Sequence, residues 1–285
     1  MNFSLQILNR VPSTNTCVKE AIDALAPEGT AYLAFMQEKG YGRQGRTWVS
    51  PYGGLYTSLL LQPPISAVNL GPLTLVVGLC TRNALVSVAK EIFGIDLDHE
   101  IRIKWPNDIV WETGKLGGIS SEIYHGSVCI GIGVNVFRPY CANQVSGKNK
   151  PVYFAEVVGE HCSGIDTSRI TASYKELLAP ESDATAADDL RPAQRRYIES
   201  CARAILSEIE KTYPVFCREG FSAFQAQYLN HMAFQGRQAQ IELIDGTALC
   251  QGSITGVDKD GCLLIQDEAG TVRTLNSGEV HILSL

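Results

Sequence analysis

The sequence predicts an α+β fold, in which a β-sheet flanked by helices is followed by a small C-terminal β-barrel. Three observations predict it. Short apolar strand patterns recur between residues 30 and 136, and helical spacing of three and four interrupts them at 17–25 and 70–93. The same helical spacing returns at 194–213. Beyond residue 237 the period changes to two, with glycine-containing turns between the strands. With 285 residues, 45% of them hydrophobic, the chain can bury a sizeable core without disulfides or a structural metal.

The elements follow in order. VPSTNT (11–16) is turn-rich, and Ser13 or Thr14 is placed to cap a helix with apolar positions Cys17, Ile22 and Leu25. TAYLAFMQ (30–37) reads as a strand, and a loop rich in glycine and arginine covers 40–46. LYTSLLL (55–61) is the next strand, stopped by Pro63 and Pro64. The helix at 70–93 is marked by Leu73, Val76, Val77, Cys80, Ala84, Val88 and Ile92. Residues 101–104 and 108–111 read as a hairpin around Pro106 and Asn107, and 117–123 and 127–136 as two more strands. The stretch 138–151 is polar and loop-like, 168–178 reads as a short helix and 181–192 as a flexible insertion. The helix at 194–213 places Ile198, Cys201, Ala202, Ile205, Leu206 and Ile209 on one face. Five short strands (IELI, SITGV, CLLIQ, VRTL, VHIL) fill the end of the chain, so two domains are expected, 1–236 and 237–285.

Charge and cysteine usage narrow the function. A net charge of −6 disfavours a general nucleic-acid binder. No uninterrupted apolar run approaches the ~20 residues that cross a bilayer, and the N-terminus carries no secretory pattern, so a cytoplasmic location is expected. The nine cysteines are never closer than twelve apart and form no cluster with the five histidines, which makes them small buried hydrophobes rather than metal ligands.

Residues 40–45 read Gly40-Tyr41-Gly42-Arg43-Gln44-Gly45, literally the G-x-G-x-x-G pattern. A dinucleotide site needs a helix after it and an acidic residue about twenty positions on. Here Ser50-Pro51-Tyr52-Gly53-Gly54 breaks any helix, and no Asp or Glu lies between Glu38 and Glu91. What remains is a loop whose glycines let backbone N–H groups face an anion, with two arginine forks and the flat face of Trp48. Two further clusters follow, Lys104-Trp105-Pro106-Asn107-Asp108 and Lys115-Leu116-Gly117-Gly118-Ile119. A lysine beside paired glycines can approach a ligand anion as a point charge, and a neighbouring carboxylate can hold Mg²⁺ or an amine.

Together these residues resemble the biotin–protein ligases. The matching pieces are Ser13-Thr14-Asn15, Gln37, GYGRQGRTW (40–48), KWPND (104–108), KLGGI (115–119), GIGVN (131–135), GVDKDGCLLI (256–265) and SGEV (277–280). The resemblance implies a mixed sheet of the class II synthetase type with an SH3-like barrel. It implies formation of biotinyl-5'-AMP from biotin and ATP with Mg²⁺, then transfer of biotin to a lysine of a biotin carboxyl carrier protein, without nucleic acid or membrane as partner and with a homodimer as one assembly. Ser13, Thr14, Asn15 and Gln37 would bind the ureido ring of biotin, with Gly40, Gly42, Gly117, Gly118 and Ile119 lining that pocket. Arg43 and Arg46 would sit over the phosphates, and Lys115 between the biotin carboxylate and the α-phosphate. Trp48, Lys104, Asn107, Asn135 and Lys259 would serve the nucleotide. Asp108 would support Mg²⁺ or the incoming lysine.

One departure stands out: the family's loop often reads G-R-G-R-x-G-R, and its first arginine is Tyr41 here. Three other readings compete. A lipoate–protein ligase would share the chemistry, but its Arg-Arg…Gly-Gly-Gly…His-Asp stretch is absent, and a non-catalytic biotin sensor would have no use for phosphate-binding cations. A ligase that also represses transcription carries a winged helix before the Ser-Thr-Asn motif, and here that motif begins at Ser13.

Overall fold

A computed structural model describes residues 1–64, 71–139, 150–162, 177, 190–243 and 245–283. The expected helix at 168–178, apart from Leu177, and most of the expected insertion at 181–192 lie outside the described residues, as does most of the 138–151 loop. Seven strands form the main sheet: β1 (Ser4–Val11), β2 (Thr30–Gln37), β3 (Gly54–Leu61), β4 (Ile101–Lys104), β5 (Asp108–Trp111), β6 (Gly114–Tyr124) and β7 (Ser127–Asn135). Their order is β1-β2-β3-β7-β6-β5-β4. The β1–β2 pair is parallel and every other pair antiparallel, so the sheet is mixed.

Alternation along the strands divides the sheet into two faces. On β3, Leu55, Leu59 and Leu61 join the main core, and on β7 Ile130, Ile132 and Val134 do the same. Two helices cover that face, α2 (Leu73–Phe93) and α4 (Pro192–Glu219). α2 is apolar nearly all round because it is sandwiched between the sheet and α4, and Gly94 ends it in the left-handed conformation (φ 74°) that glycine adopts without strain. The amphipathic face expected for α4 is buried residue for residue: Ile198, Cys201, Ala202, Ile205, Leu206 and Ile209. The short α3 (Phe154–Glu160) adds Phe154, Val157 and Val158 to the same core.

Among the described residues the opposite face carries a single helix, α1 (Thr14–Asp23), and a smaller core of Val18, Ile22, Leu60 and Cys129. The buried face of α1 is Thr14, Asn15, Val18, Ala21 and Ile22, which corrects the expected stripe. Leu25 lies past the helix end at φ 57° and is 90% exposed. Because α1 spans little of the sheet, this face stays open beside it, and the cavity described below lies there.

The end of the chain forms β8 (Gln238–Glu242), β9 (Ala248–Val257), β10 (Leu263–Gln266), β11 (Val272–Leu275) and β12 (Glu279–Ile282), in the order β11-β10-β9-β8-β12, all antiparallel. A helix, α5 (Gln225–His231), leads into it. This sheet is docked on the first one: Trp105 Nε1 donates to Gly261 O at 3.0 Å, and Ala233 N donates to Ile103 O at 2.8 Å.

Candidate active site

A cavity of about 490 Å³ opens on the α1 side of the main sheet. Its floor is a checkerboard of three adjacent strands. Tyr56 and Ser58 come from β3, Gly131, Gly133 and Asn135 from β7, and Gly118 and Ser120 from β6. The ladder sets Ser58, Gly131 and Ser120 in one row, and Tyr56, Gly133 and Gly118 in the next. The central glycines keep the floor low. A Cβ on Gly131 would come within 2.6 Å of Ser120 Oγ and would also press on Asn15, and one on Gly133 would come within 2.8 Å of the Trp48 ring.

One end of the cavity is polar and uncharged. Thr14 donates to Gln37 Oε1 from both its backbone N (2.8 Å) and its hydroxyl (3.0 Å), and Gln37 Nε2 donates to Ser50 Oγ at 2.9 Å. Ser58 Oγ lies 2.7 Å from Thr14 Oγ1 and 2.6 Å from Asn15 Oδ1. All five side chains are buried, so the network is held in place by the fold rather than by solvent.

The other end is cationic. Arg43, in a short 3₁₀ turn (Arg43–Gly45) of the glycine loop, donates to Asn107 Oδ1 at 3.0 Å, and Asn107 Nδ2 in turn donates to Ile119 O at 2.9 Å. Burial pulls the Arg43 guanidinium and the Lys104 ammonium below their ordinary values, with Asp108 opposing the shift in both. Lys115 Nζ is 2.6 Å from Asp108 Oδ1 and 5.1 Å from the centre of the Trp48 ring. A β-bulge sets this geometry. Ile109 pairs with Gly117 but Val110 with Lys115, so Leu116 is the extra residue on β6. The bulge turns Lys115 toward the side of Gly118 and Ser120 while Leu116 enters the core. Lys115 is therefore inside β6, which begins three residues before the 117–123 run that reads as a strand. Its carbonyl accepts from Asn135 Nδ2 at 3.1 Å.

The structure brings together Thr14, Asn15, Gln37, Gly42, Arg43, Arg46, Trp48, Lys104, Asn107, Asp108, Lys115, Gly118, Ile119 and Asn135 around one cavity. Four expected residues fall elsewhere. Ser13 is the buried N-cap position of α1, without a side-chain cap bond. Gly40 lies against Ser50, Trp48 and Gln37, behind the cavity wall, and Gly117 faces Gly133 O. Lys259 is 74% exposed on a turn, paired with Asp260 at 2.7 Å, and does not line the cavity. The sequence reading missed Tyr56, Ser58 and Ser120, polar groups in otherwise apolar strands. It also gave no role to Glu279 and His281, which reach the cavity from the C-terminal sheet, where Glu279 pairs with Arg46.

Two carboxylates, Asp108 and Glu279, line the cavity and each already faces a cation. Among the described residues no group of three Cys, His, Asp or Glu side chains could hold a metal. A single carboxylate of this kind would suffice for a Mg²⁺ ion that keeps most of its shell as water and phosphate oxygen.

Known proteins match this arrangement. Residues 7–136 match the Biotin/lipoate A/B protein ligase family, and residues 236–283 the Biotin protein ligase C terminal domain. The biotin–[acetyl-CoA-carboxylase] ligase of Paracoccus denitrificans is 31% identical over 275 residues, 93% of this chain and 95% of that protein. The bifunctional ligase/repressor BirA of Escherichia coli is 26% identical over 290 residues, covering 99% of this chain and 74% of its own. Among solved structures, the biotin protein ligase of Aquifex aeolicus in complex with biotin and ATP superposes with a TM-score of 0.69 at 24% identity, over 98% of this chain and 97% of the other. The two family matches and 31% identity over nearly the full length of the Paracoccus ligase lead to one conclusion: this chain belongs to the biotin–protein ligase family.

Proposed function

We propose that the protein activates biotin with ATP to biotinyl-5'-AMP and transfers the biotinyl group to a lysine amine of a biotin carboxyl carrier domain. One observation carries the assignment of roles: the cavity has a neutral hydrogen-bonding end and a cationic end, joined past Lys115 and Trp48. A cyclic urea has two N–H donors and one carbonyl acceptor. Thr14, Asn15, Gln37, Ser58 and Ser120 supply matching hydroxyl and amide groups without a charge that would favour an ion instead.

In the first step a carboxylate oxygen of biotin attacks the α-phosphorus, and the Pα–O bond to pyrophosphate breaks with its electron pair on the leaving group. The barrier is crowding of negative charge. Lys115 is placed to lie between carboxylate and α-phosphate, with Arg43, Arg46 and Lys104 toward the leaving phosphates. Each preorganised donor aimed at developing charge is typically worth ~3–4 kcal/mol. Asp108 would be the carboxylate to hold a Mg²⁺ ion carried on the triphosphate, which would supply further charge neutralisation. In the second step a neutral lysine amine attacks the acyl carbon, AMP leaves and the amine loses a proton. Positioning and exclusion of water serve this step more than acid–base help, and Trp48 over the low floor at Gly133 is suited to both.

The test is incubation with MgATP and, in parallel, biotin, lipoate or octanoate, followed by mass spectrometry for the acyl-adenylate. Biotinyl-adenylate from biotin alone is expected. An adenylate from lipoate, or tight biotin binding without any adenylate, would overturn the assignment.

A further inference from the structure

Beside the neutral end of the cavity, outside the groups given roles above, a half-buried ion pair joins three elements. Asn15 and Lys19 are four residues apart on α1, so they share a face one turn from each other. Ser120 and Glu122 are two apart on β6 and also share a face. Glu122 bridges the two helical positions: its Oε1 accepts from Asn15 Nδ2 at 3.3 Å, and its Oε2 lies 2.5 Å from Lys19 Nζ. The side chains of Lys19 and Glu122 are 26% and 30% exposed, so water screens the pair only in part.

Lys19 has a second partner in the glycine loop. Its Nζ lies 5.3 Å from the centre of the Tyr41 ring, a cation–π contact, and 5.6 Å from that of Tyr124 on β6. Tyr41 lines the cavity and pairs with Thr47 in an antiparallel bridge, which closes the base of the loop that carries Arg43 and Arg46. Burial alone would lower the Lys19 ammonium, but its hydrogen bond to Glu122 and its contact with Tyr41 outweigh it and hold the charge on. The position where the loop departs from the arginine pattern is thus the position that meets a cation from α1.

We propose that Lys19 is a positioning residue for the adenylation site: through Glu122 it fixes the amide of Asn15, and through Tyr41 it tethers the glycine loop to the same carboxylate. Occupancy of the neutral end and order of the cationic loop are then coupled through one ammonium group, without Lys19 touching substrate. The catalytic consequences rest on the ligase reading; the tether itself does not.

Hydrogen exchange of the ligand-free protein therefore comes first. Lys19→Met keeps the aliphatic stem and removes the charge, and peptides covering 40–48 should exchange about fivefold faster than in the unaltered protein, as expected for loss of one cation–π contact at a partly exposed site. Lys19→Arg should restore protection. Equal exchange in Lys19→Met and the unaltered protein would overturn the tether, whatever the protein's activity. With MgATP and biotin, Lys19→Met should raise the KM for biotin several-fold and release biotinyl-adenylate faster, with kcat for adenylation within twofold. A kcat loss with unchanged KM and unchanged release would make Lys19 catalytic and overturn the proposal. Lys19→Met and Tyr41→Ala should be non-additive in adenylate release, and additive effects would again overturn it. Absence of biotinyl-adenylate from the unaltered protein would sink the ligase reading, while loop exchange would still report on the tether.

Discussion

Asp108 Oδ1 and Lys115 Nζ lie 2.6 Å apart across a ladder whose register shifts between them. The pair gives the cavity a cation that is already oriented, on rigid strands and not on the loop. Lys115→Ala should lower adenylate formation by about a thousandfold, the usual consequence of removing a preorganised charge at a reacting centre. The circular dichroism spectrum should be unchanged. Wild-type-like pyrophosphate release from the variant would remove Lys115 from the chemistry.

The two floor glycines should separate the two substrates. A methyl at Gly131 meets Asn15 and Ser120, whereas one at Gly133 meets Trp48. Gly131→Ala should therefore raise the KM for biotin by about tenfold and leave that for ATP near its original value, with Gly133→Ala doing the reverse; displacing one well-placed contact typically costs ~1–2 kcal/mol. Steady-state kinetics with each substrate varied in turn would show it. Equal effects of both variants on both substrates would contradict two separate ends.

Arg43 holds the glycine loop to β6 through Asn107 and Ile119 O. Arg43→Gly should loosen the loop and let biotinyl-adenylate escape. Labelling of bystander lysines, read on serum albumin by streptavidin blot, should rise by at least about tenfold, since a lid that excludes water also retains a reactive intermediate. Unchanged labelling would speak against retention by this loop.

Glu279 occupies Arg46 from the C-terminal sheet. Arg46 is 51% exposed, so the pair contributes little to stability, about 0–1 kcal/mol. Its effect should appear in binding instead. Glu279→Gln frees the guanidinium and should lower the KM for ATP severalfold at low salt, with a melting temperature close to the parent's. A KM that rises would give Glu279 a direct role at the nucleotide.

Burial holds the Lys104 ammonium below its ordinary pKa, Lys115 adding to the shift and Asp108 opposing it. A triphosphate beside it favours the charged form. ATP affinity should accordingly be full below the depressed pKa of the free protein and fall as pH rises through it. Lys104→Arg should flatten that alkaline limb, because a guanidinium stays charged there. Titration calorimetry from neutral to alkaline pH would register the limb, and an identical limb in both proteins would assign it to another group.

Much of the main sheet was legible because its strands are short apolar runs bounded by glycine, proline or charge. The boundaries of β2, β4 and β5 coincide with the runs 30–37, 101–104 and 108–111. β1 was not legible. SLQILNRV lies at the sheet's edge, where Leu5 packs on the core but most positions are exposed, so no clean alternation survives. The five C-terminal strands were readable from period and turns alone. At the site, glycines and charges announced the loop, Lys104, Asp108 and Lys115. Ser58 and Ser120 did not announce themselves, since a hydroxyl within an apolar strand reads as core until its face is known. Glu279 required knowing that the two sheets meet, and Lys259 was misplaced for the same reason.

The bulge at Leu116 has a consequence for how this stretch tolerates change in length. Deleting that one residue would alter no charged or polar group of the site. It would restore regular pairing between β5 and β6 with Lys115 still opposite Val110 on the cavity side, whereas straightening the strand with Leu116 kept would hand Lys115 to the oily side of the sheet. Lys115 and Gly118, three residues apart, share a face only because of the bulge, and a library that varies composition here should keep the bulge or remove Leu116 with it.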